Sequence, residues 1–386
     1  MTVYLPAEDS FLLQKYVKKY SNVNSILDIG TGSGIQAITA AKNAKKVIGI
    51  DINPEAIKYA KNQAKSLSNV KFIESDLFSK ILKQKFDLII FNPPYLPSEE
   101  HVKDIALVSG KTGTNVSIKF LEKAADYLEE NGTILLITSS LASKSKLNDS
   151  IEKNLFVSKE LEKIHIFFED IILLKLTKSS ILKKLEKEKI IDPKVFDHGK
   201  RGVIIKGKYR NKIVGIKIKK EESYAQGTIE IEAKFLKILN KHNIGPKLVM
   251  HKNNFLMYEF VNGKFIEEFV KSNNKKNILI VLKNVYEQMY KMDELGINKF
   301  EMHHPLKHII IEKNTPVLID FERCRHTDDP KNVSQFCDFL ISKTFNELLA
   351  TKDILIKKEN MIELAKNYKK NRNKKSFELI LSSLNS

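Results

Sequence analysis

Ser25-Ile26-Leu27-Asp28-Ile29-Gly30-Thr31-Gly32-Ser33-Gly34 opens as a short apolar run and breaks into three alternate glycines. A run of that length reads as a buried strand, and glycine gives the turn after it the freedom to let a ligand approach the backbone. Ile35 to Ala44 continues as a helix, so the turn is the strand-to-helix junction that begins a doubly wound α/β sheet. Three more apolar runs follow, Lys46 to Ile50, Val70 to Glu74 and Phe86 to Phe91, and they lead into Asp51, Asp76 and Asn92. Ligands of open α/β sheets bind along the carboxyl ends of the strands. Asp51 stands where an acid can hold both hydroxyls of a ribose, and Asp76 with Leu77 where an adenine amino group would be met.

The fourth run ends in Asn92-Pro93-Pro94-Tyr95. An amide or exocyclic amino nitrogen is a poor nucleophile because its lone pair is delocalised, so its hydrogens must be held in a geometry that frees the pair. The Asn92 side-chain carbonyl and the Pro93 main-chain carbonyl would each accept one N–H, while Tyr95 stacks on the planar acceptor. Two prolines stiffen the loop, since each fixes its own φ and extends the residue before it. That is preorganisation.

These motifs, with Tyr4-Leu5-Pro6-Ala7-Glu8-Asp9-Ser10 before them, resemble the S-adenosylmethionine (SAM)-dependent methyltransferases, and within them the HemK/PrmC glutamine methyltransferases that modify translation release factors. The N-terminal segment is similar to the short archaeal and eukaryotic form. The resemblance covers roughly residues 1–177 and implies a Rossmann-like domain. It implies that Asp28, Gly30, Thr31, Gly32, Gly34, Asp51, Asp76, Leu77 and Asn92 bind the cofactor, with Pro6, Glu8 and Asp9 closing the pocket against it. Asn92, Pro93 and Tyr95 would be catalytic, and no metal is implied in this domain. A release-factor Gly-Gly-Gln loop is the implied substrate, with a small zinc-binding activator subunit as partner. Ala106 to Gly113 departs from the family's pattern. An adenine-N6 methyltransferase of RNA or DNA is the alternative, because its acceptor is also a planar NH2 group.

At 386 residues the chain has room for two domains. No hydrophobic stretch is long and uncharged enough to span a bilayer and the N-terminus is not a signal peptide, so a cytoplasmic location without membrane contact is expected. Cys324 and Cys337 are the only cysteines, which excludes a disulfide framework or a cysteine zinc site. Of the net charge of +18, residues 1–178 carry +3 and residues 179–386 carry +15. A basic C-terminal half favours RNA, ribosome or acidic-protein partners. A lysine-rich solvated surface explains the same excess, since aromatics do not interleave with the lysines.

Domain boundaries are expected at 1–178 and 195–386, with 179–194 as a charged helix or linker and a final hairpin of His165 to Phe168 and Ile171 to Leu176 before it. Beyond, His198-Gly199-Lys200-Arg201-Gly202 leads into a strand, a turn at Tyr209 to Asn211, and the strand Ile213 to Lys219. A helix from Ile229 to Asn240 follows, then the strand Met257 to Val261 and Pro316-Val317-Leu318-Ile319-Asp320-Phe321-Glu322. This succession resembles the atypical protein kinases of the RIO-like kind, in particular predicted archaeal Ser/Thr kinases. The resemblance implies an α+β protein-kinase-like domain binding ATP and Mg. Lys217 would meet nucleotide phosphates, Glu232 would pair with it, Tyr258 to Val261 would meet adenine, and Asp320 would hold metal. His303 and His308 stand where the kinase base and its metal-binding asparagine are expected, with Glu301 as a substitute carboxylate. A poor fit to magnesium follows, and with it a pseudokinase, a histidine zinc site or a pure binding module as alternatives.

Overall fold

Ser25–Ile29 (β1) is an interior strand of a seven-stranded sheet, paired in parallel with both Lys46–Asp51 (β2) and Phe86–Phe91 (β4). Val70–Glu74 (β3) and Leu128–Ser139 (β5) extend the parallel set, and the hairpin Phe156–Ile166 (β6) and Glu169–Lys178 (β7) closes it in the order β3-β2-β1-β4-β5-β7-β6. Strand β7 runs antiparallel to both its neighbours. These relationships come from a computed structural model, which describes residues 3–97, 110–198, 202–219, 228–252 and 255–384. Residues 106–109 of the stretch that departs from the family pattern, and 199–201 of the glycine-containing stretch, lie outside the described residues.

Alternation of side chains makes the sheet two-sided. Ile26, Val47, Leu88, Leu135 and Ile137 pack beneath Glu8–Tyr20 (α1), Ile35–Ala41 (α2) and Pro54–Gln63 (α3). Leu27, Ile29, Ile48, Ile50, Ile89 and Phe91 pack beneath Asn115–Tyr127 (α4) and Lys144–Lys153 (α5). Each such aliphatic side chain, fully buried, contributes about 1.5–3 kcal/mol. The shift of one residue between the two sets puts a helix layer on each face, and so aligns the ligand-side ends of β1 to β4.

The hairpin differs from expectation. Strand β6 starts at Phe156, and Phe167 and Phe168 form its exposed tip, with Phe167 at φ +50°. The middle of β6, Lys159, Glu160, Glu162 and Lys163, is charged on an edge strand, a composition that blunts the edge and hides it from a search for apolar runs. Residues 179–194 are likewise not a bare connection. Ser180–Lys187 forms α6 with Leu182 and Leu185 buried, and Ile191–His198 begins β8.

The chain divides into two compact units, Met1–Val195 and Phe196–Ser386. The second contains a five-stranded sheet in the order β11-β12-β10-β9-β8, where Gly202–Tyr209 is β9, Lys212–Lys219 is β10, Leu248–Lys252 is β11 and Phe255–Glu259 is β12. The helix Thr228–Leu239 (α7) connects β10 to β11. Ile266–Ser272 (α8) and Lys275–Glu294 (α9) pack on a small sheet that includes Ile309–Glu312 and Thr315–Leu318, and the C-terminal helices pack on α8 and α9. Among the described residues no helix is long and apolar enough to cross a membrane.

Candidate functional site

The glycine turn after β1 is held by acids from two strands. Gly30, Gly32 and Gly34 have φ of +63°, +50° and +85°, a left-handed backbone that other residues adopt at a cost. Asp28 Oδ2 accepts from Thr31 Oγ1 at 2.6 Å and from the Ala37 amide at 3.1 Å. Burial pushes the Asp28 carboxyl up to about 7 against the pull of those two donors. Asp51 accepts from the Gly32 and Asn53 amides, each at 2.9 Å, one on each oxygen. An ionised carboxylate has about four acceptor positions, so Asp51 keeps capacity for two hydroxyls. The chain at Tyr4 passes over the turn, its carbonyl 3.6 Å from where a Cβ on Gly32 would stand. A bare, acid-tied turn under a covering segment is a cradle that fits a nucleoside-bearing cofactor. Asp76 is exposed at the end of β3, and Leu77, at φ +46°, turns the chain there while its carbonyl accepts from Ser75 Oγ. Pro6 is half-buried and Glu8 is exposed in the first turn of α1.

Asn92, Tyr95 and Asp9 converge beyond this cradle. Asn92 Nδ2 donates to Asp9 Oδ2 at 2.9 Å, and Tyr95 Oη donates to the same oxygen at 3.2 Å. Tyr4 Oη lies 3.1 Å from both Asp9 oxygens, and Ser10 donates to Oδ1 through its amide and its hydroxyl. Asn92 Oδ1 is buried with no hydrogen-bond partner, which costs free energy unless a ligand donates to it. Pro93 is buried beside it. Burial, reinforced by Asp9, holds both the Tyr4 and the Tyr95 hydroxyls far above the usual tyrosine range, so both remain donors. Glu169, at the start of β7, adds to the same upward push on both tyrosines and accepts from Ser139 Oγ. Tyr4 and Glu169 escape a reading of the sequence. Tyr4 carries a weak signal in its place five residues before Asp9, and Glu169 none, because only the reversed strand brings it to this edge.

A second convergence lies within the C-terminal unit. Lys217 Nζ, on β10, is 2.7 Å from Glu232 on α7, 3.0 Å from Asp320 and 3.1 Å from Glu322. Burial draws the ammonium down, but the three carboxylates outweigh it and raise it above the usual lysine range. The three acids bring oxygens within 4.8 Å of one another. Asp320 sits at φ +64°, and its carboxyl, which burial alone would raise, is held low by Lys217 and Lys299. Lys299, fully buried and missed in the sequence, donates to the Asp320 carbonyl and lies 3.4 Å from Glu301 and 3.5 Å from His308. His308 Nδ1 is 3.9 Å from Asp320. Burial and Lys299 lower the His308 imidazole below its usual value. His303 is exposed, bonded to the Phe300 carbonyl, and does not join the group. Two short helical turns, Phe300–His303 and Pro305–Lys307, change the spacing, so Glu301 lies beside Lys299 where counting had put His303. The histidine zinc site weighed as an alternative finds no support in this arrangement; the one group of three convergent ligands among the described residues is all carboxylate.

The fold and the site of the N-terminal unit define a Rossmann-like methyltransferase. A family profile for the methyltransferase small domain (MTS) matches residues 8–167. A candidate protein N5-glutamine methyltransferase of Methanocaldococcus jannaschii is 37% identical over 179 residues, which are 45% of this chain and 90% of that one. Through its N-terminal half the chain belongs to that methyltransferase family. Release factor glutamine methyltransferases of Fusobacterium nucleatum and Thermodesulfovibrio yellowstonii are 36% and 35% identical, matched over 34% and 35% of this chain. The chain spans only 42% and 55% of their length. Among solved structures, the E. cuniculi Mtq2–Trm112 complex, responsible for methylation of the eRF1 termination factor, aligns at 22% identity and a TM-score of 0.39, over 46% of this chain and all of that one.

Proposed function

We propose that residues 1–178 methylate the side-chain amide of a glutamine in a protein, with a translation release factor as acceptor. The observation that carries this is the buried, unpartnered Asn92 Oδ1, an acceptor aimed at a donor that the chain itself does not supply. SAM, when bound, supplies an electrophilic methyl group. Asn92 Oδ1 accepts one amide N–H, the Pro93 carbonyl accepts the other, and the two hold the nitrogen with its lone pair directed at that methyl. Tyr95 packs on the amide plane. The N–C bond would form as the methyl–sulfur bond breaks, leaving a neutral thioether, and one N–H proton would pass to solvent. Asp51 holds the ribose, the glycine turn receives the amino-acid end, and Asp76 with Leu77 meets the adenine. Pro6 and Glu8 close the pocket.

Identity of 37% to the glutamine methyltransferase of M. jannaschii supports this acceptor over adenine. Labelled SAM, incubated with release factor and separately with total RNA and DNA, tests it. Label in the release factor, lost on Gln→Ala in its Gly-Gly-Gln loop, is the expected result; label in nucleic acid alone refutes it. A small zinc-binding activator enters the same proposal, and activity gained when such a subunit is added checks it.

For residues 195–386 we propose a protein-kinase-like nucleotide-binding domain. Its support is the buried Lys217–Glu232 pair between the third strand and the following helix, with Asp320 beside it, the arrangement by which kinases position phosphates and metal. ATP with magnesium should raise the melting temperature of the whole chain, and Lys217→Ala should remove the shift. Tight, salt-dependent RNA binding without any ATP effect would favour a nucleic-acid or ribosome-binding module instead.

A further inference from the structure

An asparagine side chain is nearly symmetric in shape, so a pocket chooses between its carbonyl and its NH2 end only by hydrogen bonding. At Asn92 the choice is made by one group. We propose that Asp9 is the positioning residue that turns the Asn92 carbonyl toward the acceptor nitrogen, an inference that rests on the amide-methylation reading above. Asn92 Nδ2 lies 2.9 Å from Asp9 Oδ2, and an ionised carboxylate only accepts. The NH2 end is thereby fixed on Asp9, and Oδ1 is left buried and free on the other side. In the reversed orientation a carbonyl would face a carboxylate, and an NH2 group would confront the N–H donors of the incoming amide. Both contacts repel.

Asp9 is itself immobilised. Tyr4 Oη bonds to both its oxygens, Ser10 N and Oγ to Oδ1, and Tyr95 Oη to Oδ2. The tyrosines stay protonated because burial raises them, so each keeps an O–H to donate to Asp9. Only 3% of Asp9 is exposed, so water does not replace these donors. The carboxylate is surrounded by donors from α1, from the segment before it and from the loop after β4. It acts through Asn92 and does not touch the reacting atoms. Carrying the NH2 end is a different task from lining the cofactor pocket.

Exchange of the two side chains tests this in the full-length protein with SAM and a Gly-Gly-Gln peptide. Asp9→Asn should lower kcat about 10- to 100-fold while cofactor affinity, measured by calorimetry, stays within about twofold. Asn92→Asp should lower kcat further, because two carboxylates then face one another. In the double variant a donor again meets an acceptor, and an oxygen again faces the substrate nitrogen. Its kcat should exceed that of the better single variant by about tenfold. Losses that simply multiply overturn the proposal, since a structural or cofactor-binding Asp9 predicts them. Two further readouts do not depend on the acceptor. The Asn92 side-chain nitrogen resonance should move on Asp9→Asn, and its protons should exchange slowly in the wild-type chain. An unmoved resonance, or free exchange in the wild type, overturns the proposal even if the glutamine peptide proves not to be the substrate. No label in that peptide with the wild-type enzyme counts against the acceptor alone.

Discussion

Asp28 is enclosed at the end of β1, and its carboxyl is pushed up to about 7, with burial the largest cause. An unfolded aspartate titrates near ~3.9. Between these values the folded chain holds a proton that the unfolded chain has lost, so stability falls as pH rises through this window and levels off above it. Asp28→Asn lacks that dependence. The stability gap between variant and wild type should therefore shift in the variant's favour from pH 4 to 7 and then stay constant, as measured by chemical denaturation; a pH-independent gap would refute it. Asp51 differs, being half-buried with acceptor positions to spare. Asp51→Ala should weaken SAM binding by about 1.5–3 kcal/mol, the scale of hydrogen bonds to a charged group, and calorimetry would show an unchanged affinity if the ribose were held elsewhere. Asp28, Asp51 and Asn92 were visible in the sequence because each follows an apolar run, and a repeated signal at strand ends needs no knowledge of the third dimension. Glu169 was not, since its position depends on β7 returning beside β5, and Lys299 was not, since a lysine between polar residues reads as solvated.

Helix α6 shows what an element adds to its residues. Ser179 Oγ accepts from the Leu182 amide at 3.1 Å, and Leu182 and Leu185, three apart, face inward while lysines face out. Three apolar residues in eight, Ile181, Leu182 and Leu185, make a helix of barely two turns, too short against a charged background to be told from a linker, which is why the segment reads as either. Ser179→Ala should cost about 1 kcal/mol through the lost cap, and Leu185→Ala about 2–5 kcal/mol through the cavity it leaves. A linker would tolerate both, and urea denaturation distinguishes the two cases. The parallel strands β1 to β4 were legible nearly to the residue because buried strands are largely apolar, whereas β5, which starts with the polar stretch Glu129 to Gly132, was not read. The catalytic-loop region of the second unit was not, because counting assumes a fixed spacing and two 3-10 turns alter it.

At the scale of the molecule, two units with separate cores imply two thermal transitions. Ligand at about 100 times its dissociation constant adds about 2.7 kcal/mol, which for a unit of this size is a rise of about 5–10 °C. SAM should raise one transition and ATP with magnesium the other, as read by calorimetry; a single transition moved by both would mean that the units unfold as one. The pairing of strands carries a further consequence, for time rather than stability. In the N-terminal unit Ile26 must find Leu88, and β5 must wait for β7. In the C-terminal unit Tyr209 pairs with Lys212 across a two-residue turn, and Glu312 with Thr315. Local closure is fast and distant closure slow. The half of the chain made last by the ribosome should thus be the first to reach its native state on refolding, and stopped-flow refolding with ligand added at intervals would find nucleotide binding restored before SAM binding.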